Sequence, residues 1–115
     1  MIYRELTAWQ KAYKFVLSIY SVTKHFPKEE LFGVVSQMRR AAASIPVNIA
    51  EGSMRQTPKE YHQFLYIARG SLTEIEVWLQ LSRDLQYLPD EQFAALWEDC
   101  AEVGRLINGL LKAFQ

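Results

Sequence analysis

Gln37, Arg40, Ser44, Asn48 and Glu51 recur at intervals of three, four, four and three residues. That spacing brings side chains onto one side of an α-helix. Amides, a guanidinium, a hydroxyl and a carboxylate form an unusual set beside the Lys and Glu of ordinary helix surface, and together they offer a connected run of donors and acceptors. Arg69, Ser71 and Glu74 supply a facing set further along the chain. Three readings stand. In the first, Gln37, Arg40, Ser44, Asn48, Glu51, Ser71 and Glu74 form a buried polar network that fixes helix register or a subunit contact. In the second, Arg39, Arg40 and Arg55 hold a ligand or RNA phosphates. In the third, the stripe is solvated surface. The first reading has a sharp form: Arg40, Asn48 and Glu51 are buried, and Arg40 pairs with Glu74. A buried guanidinium keeps its charge and needs an acid partner. Measured from the turn joining their helices, Glu51 lies near its helix end, whereas Arg40 and Glu74 each lie about three turns deeper, at ~3.6 residues per turn.

Bond-making chemistry has less to build on. His25 and His62 fall in different helices, and no Glu-x-x-His pair of a di-iron bundle is present. Cysteine metal spacing, a phosphate loop, G-x-G-x-x-G and G-x-S-x-G are all absent. Glu60 and His62 are two apart and point to different sides of a helix. Cys100 is the only cysteine, which excludes an internal disulfide and reads as a small buried hydrophobe. No catalytic residue, metal ligand or cofactor is expected, and the chain reads as a non-enzyme. A catalytic use of the stripe from Arg40 to Glu51 requires an open cleft beside it.

Four helices must position these groups. Thr7 and Gln10 have capping-box form, and Trp9, Ala12, Tyr13, Val16, Leu17, Tyr20 and Thr23 make the apolar face of the first helix. His25-Phe26-Pro27 closes it, and Pro27 opens the next, with Glu29 and Glu30 in a first turn that favours negative charge. Leu31, Val35, Met38, Ala42, Ile45 and Ile49 then step by 4-3-4-3-4, a heptad seam. Pro46 interrupts this helix and predicts a kink. The apolar phase runs on from Ala42 to Ile49, so one bent helix is expected, ended by Gly52 as a left-handed cap. Thr57-Pro58-Lys59-Glu60 combines a cap, a first-position proline and a capping-box acid. A stripe from Tyr61 to Leu79 follows. Leu88-Pro89-Asp90-Glu91 opens a last helix whose face runs from Phe93 to Phe114, with Gly104 in phase for a close approach. Trp9, Trp78 and Trp97 lie on apolar stripes, as core or interface residues. No period-two alternation reaches strand length. The expected fold is an all-α, antiparallel up-down-up-down four-helix bundle kinked at Pro46, one domain over residues 1–115.

Composition bounds the setting. Half of the 115 residues are hydrophobic, and no apolar run nears the roughly 18 residues of a membrane span. No signal-peptide pattern opens the chain, so a cytoplasmic protein without membrane contact is expected. Formal net charge is zero, which does not mark a strongly basic nucleic-acid binder. The charge is uneven, however: residues 1–60 carry +4 and residues 61–115 carry −4. That distribution suits opposed faces on one bundle, complementary faces between subunits, or plain solvated surface.

The run Gln37-Met-Arg-Arg-Ala-Ala-Ala-Ser-Ile-Pro-Val-Asn-Ile-Ala-Glu-Gly52 resembles the family of four-helix-bundle proteins named for intervening sequences in bacterial 23S ribosomal RNA genes. Leu6-x-x-Trp-Gln-Lys-Ala12, Phe26-Pro27 and Ala68-Arg-Gly-Ser-Leu-Thr-Glu74 extend the likeness over nearly the whole chain. The resemblance implies a ring-shaped homopentamer. It also implies similarity to the accessory variability protein of diversity-generating retroelements, which works with a reverse transcriptase and nucleic acid. The leading expectation is therefore a non-catalytic oligomeric scaffold that binds RNA or a nucleic-acid-processing protein. The alternative is a structural or protein-interaction module without nucleic-acid binding.

Overall fold

The Thr57 hydroxyl accepts the Glu60 N–H at 3.2 Å, and Pro58 sets the first helical φ, so α3 starts where its start signal lies. The computed structural model describes residues 2–114. Its four helices are α1 (Thr7–Thr23), α2 (Ser36–Ser53), α3 (Pro58–Asp84) and α4 (Asp90–Ala113). Among the described residues there is no strand, and no helix is long and apolar enough to cross a membrane. Each helix packs on its neighbours in sequence, and α4 closes the bundle against α1. The result is an elongated body of 43 × 24 × 20 Å.

The α2 seam forms the centre of the core. Val35, Met38, Ala42, Ile45 and Ile49 are all at most 3% exposed. α2 runs unbroken through Pro46, with Ile45 and Ile49 buried on either side of it. Proline forfeits one N–H donor to the Ala42 carbonyl, but the apolar contacts on the far side keep the chain in helical phase.

Four local expectations give way. The Thr7 capping box does not form: Thr7 is the first helical residue, Leu6 precedes it, and the Gln10 amide instead donates to the Arg4 carbonyl at 2.8 Å. A 3₁₀ turn at Tyr3–Glu5 supplies that carbonyl.

The α1 face is rotated from the one expected. Ala8, Ala12, Phe15, Ile19 and Thr23 are buried, whereas Tyr13, Leu17 and Tyr20 are 47, 55 and 42% exposed. α1 carries two apolar stripes, and only one can face the core.

The lead into α2 is irregular. A 3₁₀ turn (Lys28–Glu30) and a wide π-type turn (Leu31–Val35) precede the helix, with Gly33 non-helical at φ −111°, ψ −112°. This breaks the phase, so Leu31 is 49% exposed and the seam begins at Val35.

Gly52 is not a left-handed cap. It lies inside α2, buried against α3, where an added Cβ would meet Phe64 Cβ and Tyr61 Cδ1 at 2.8 Å. Close helix approach, rather than backbone freedom, is what requires glycine there.

Candidate functional site

Small residues on α2 and α3 let the two helices meet, and the polar stripe borders that contact. Ser71 donates to Ser44 Oγ at 2.8 Å, and the Asn48 amide donates to Ser44 Oγ at 2.9 Å and to the Ser44 carbonyl at 2.7 Å. Ser44 is thus the hub of a half-buried hydrogen-bond cluster spanning both helices. One to two turns away, Gln37, Arg40 and Glu74 join Ser44 and Ser71 around an open cleft of about 280 Å³.

Arg40 and Glu74 occupy the expected depth, but the burial expected of them is corrected. Both are exposed, and no ion pair joins them among the described residues. Glu74 accepts the Trp78 indole N–H at 3.2 Å instead. Glu51 is also exposed, and its side chain enters no hydrogen bond or ion pair among the described residues. The reason is register on a cylinder. Ser44 and Ser71 lie at the half-buried edge of the α2–α3 contact, and the long side chains one turn along lean outward to water, as charged heads do. Asn48 is half-buried, short enough to turn back onto its own helix.

The three arginines do not converge. Arg39 is held against α1, its Nε donating to Thr23 Oγ1 at 3.0 Å, with its guanidinium 4.5 Å from the Tyr20 ring centre. Arg40 borders the α2–α3 cleft. Arg55 lies beyond the far end of α2, 4.6 Å above the Phe64 ring. From Arg39 to Arg55 is about 24 Å at ~1.5 Å per residue. What does gather is a pair missed in the sequence: Lys24 and Lys28 join Arg39, Phe26, Leu31 and Val35 around a cleft of about 400 Å³. Their spacing of four around Phe26-Pro27 was the available signal.

A second, apolar groove lies between α1 and α2. Trp9, Tyr13 and Val16 face Ala43, Val47 and Ala50 across about 300 Å³. Trp9 and Tyr13 stack with centroids 5.0 Å apart. Trp78 also packs against the core, whereas Trp97 is 37% exposed and stacks on Phe93.

The polar cluster brings two serine hydroxyls together. The bonded neighbours of Ser44 Oγ and Ser71 Oγ are an amide and each other, so neither hydroxyl has an imidazole or carboxylate to take its proton. Burial, reinforced by nearby Glu76 and Asp99, pushes the Cys100 thiol up to about 12, leaving it protonated and inert. Among the described residues no group of three His, Cys, Asp or Glu is placed to hold a metal ion. The Tyr87 phenol is raised by its 2.9 Å hydrogen bond to Glu30, since ionisation would set two anions together.

Residues 4–109 match the family model described as 23S rRNA-intervening sequence protein. A crystal structure from Bacteroides thetaiotaomicron VPI-5482, described as a protein with unknown function from the S23 ribosomal protein family, shares the fold. It is 26% identical, with a TM-score of 0.85 over 92% of this chain and 99% of that one. No functionally curated protein matches the chain.

Proposed function

Because this chain belongs to the 23S rRNA-intervening sequence protein family, we propose that it is a non-catalytic, self-associating helical scaffold that binds RNA or an RNA-handling protein in the cytoplasm. The observation that carries the reading is the outer stripe of α1. Tyr13, Leu17 and Tyr20 are 42–55% exposed, with half-exposed Val47 of α2 beside the same groove. A solitary bundle gains nothing from displaying such a row, whereas an assembly buries it. The family suggests a ring of five. The RNA part rests on the family and on the cleft of Lys24, Lys28 and Arg39, where cations stand beside aromatic and aliphatic surface.

Two measurements test this reading. Light scattering at micromolar concentration should give a multiple of the 13.4 kDa chain mass, five-fold for the ring; a monomer mass contradicts it. Binding of structured RNA should weaken steeply across a salt series, as displaced counterions require. No binding at low salt favours the second reading, a protein-interaction module without nucleic-acid contact, which the zero net charge supports.

A further inference from the structure

We infer that Phe32 of one copy seats in the α1–α2 groove of the next, so that copies join head to tail through a knob and a socket. This rests on the self-association proposed above and specifies its contact. Phe32 is 91% exposed, the most exposed of the large apolar side chains among the described residues, and Leu31 beside it is half-exposed. It does not hang on a loose tether. The Glu30 carboxylate accepts the Tyr87 hydroxyl at 2.9 Å from the α3–α4 connection and the Val34 N–H at 3.5 Å, pinning the wide turn from both sides. With the backbone of the turn held, docking has only the Phe32 side chain itself to order.

The socket is the groove between Tyr13 and Val47. At about 300 Å³ it exceeds the ~150 Å³ apolar cavity that accommodates benzene, so it has room for a phenyl ring. Aromatic and small aliphatic side chains line it. Knob and socket stand apart within one molecule: Ser36 to Pro46 alone is ten positions of continuous helix, about 15 Å at ~1.5 Å per residue, and Phe32 lies beyond Ser36. A second copy is the occupant because one chain displays both halves. Leu17 and Tyr20 continue the apolar surface from the socket toward the end that bears Phe32. Zero net charge sets no long-range repulsion between copies. The contact joins two different patches, so it is heterologous and propagates until a ring closes.

Complementation of two variants tests it. Phe32→Ala removes the knob and keeps the socket; Val47→Arg blocks the socket and keeps the knob. Both positions are exposed in the single chain, so each variant should keep its helical circular dichroism, while its melting temperature loses the dependence on protein concentration that assembly confers. Each variant alone should be monomeric at micromolar concentration, with a dissociation constant raised roughly 30-fold or more, the effect of an interface hot spot. Mixed at about 100 μM, they should form one-to-one dimers that grow no further, since one intact contact remains. Either variant keeping the wild-type mass overturns the inference, as does a mixture that stays monomeric. A wild-type chain that is itself monomeric overturns the self-association reading first, which separates the two failures.

Discussion

Two stripes run along α2 side by side, and they meet opposite fates. The seam of Val35, Met38, Ala42, Ile45 and Ile49 is sealed to 3% exposure or less. In the polar stripe, Ser44 and Asn48 are half-buried and hydrogen-bonded, while Arg40 and Glu51 stand in water. An apolar side chain gains by burial whatever it touches. A charged one gains only if a partner of the right geometry is already in place. Stripe period reports a shared direction for both, but only for the seam does direction settle environment.

Four substitutions probe this contrast. Ile45→Ala, fully buried in the seam, should lower stability by about 2–5 kcal/mol in urea unfolding, the cost of a core truncation and its cavity. A loss under ~1 kcal/mol would mean the seam is loosely packed and the contrast overstated. Gly52→Ala continues the seam at its far end, where the new methyl meets Tyr61 and Phe64 at 2.8 Å. Overpacking should cost about 1–3 kcal/mol, outweighing the ~1 kcal/mol that Ala gains over Gly in a helix. A rise in melting temperature would show that α3 yields there.

Ser44→Ala removes the hub that serves Asn48 and Ser71, and should cost about 1 kcal/mol, that of a partly buried hydrogen bond. A loss as large as that of Ile45→Ala would make the polar stripe a second core. Arg40→Ala should change stability by no more than ~0.5 kcal/mol, because Arg40 is exposed and forms no ion pair among the described residues. A drop of ~3–5 kcal/mol, as for breaking a buried pair, would mean that assembly buries Arg40 and gives it the acid partner it lacks in the single chain. Urea midpoints measured above and below the concentration at which the chain assembles would show whether any such drop belongs to the fold or to the contact.

Much of the bundle was legible beforehand. Thr57-Pro58 and Pro89-Asp90 mark helix starts because their physics is local: a hydroxyl near free amides, a ring with the right φ. The α2 seam survived Pro46 because several buried contacts outweigh one missing hydrogen bond. The core face of α1 is not legible in the sequence, because period alone cannot rank two apolar stripes on one helix. Ala8, Ala12, Phe15 and Ile19 take the core: two alanines allow close approach and two large wholly apolar side chains fill the interior, while Tyr13 and Tyr20 keep their hydroxyls outside with Leu17 between them. Gly52 looked like a chain-ending glycine, and only the closeness of Tyr61 and Phe64 shows that it is a packing glycine.

The sites divide along the same line. Residue spacing determined that Gln37, Arg40 and Ser44 share a side and that Ser71 and Glu74 face them, since helical period and the short α2–α3 turn together set the register. Tertiary structure decided which of them are buried, sent Arg39, Arg40 and Arg55 to three separate places, and gathered Lys24, Lys28 and Arg39 into one cleft. Neighbours in space across α1 and α2 are far apart in sequence, and the exposure of a long charged side chain depends on how closely the facing helix approaches, a distance that no single helix encodes.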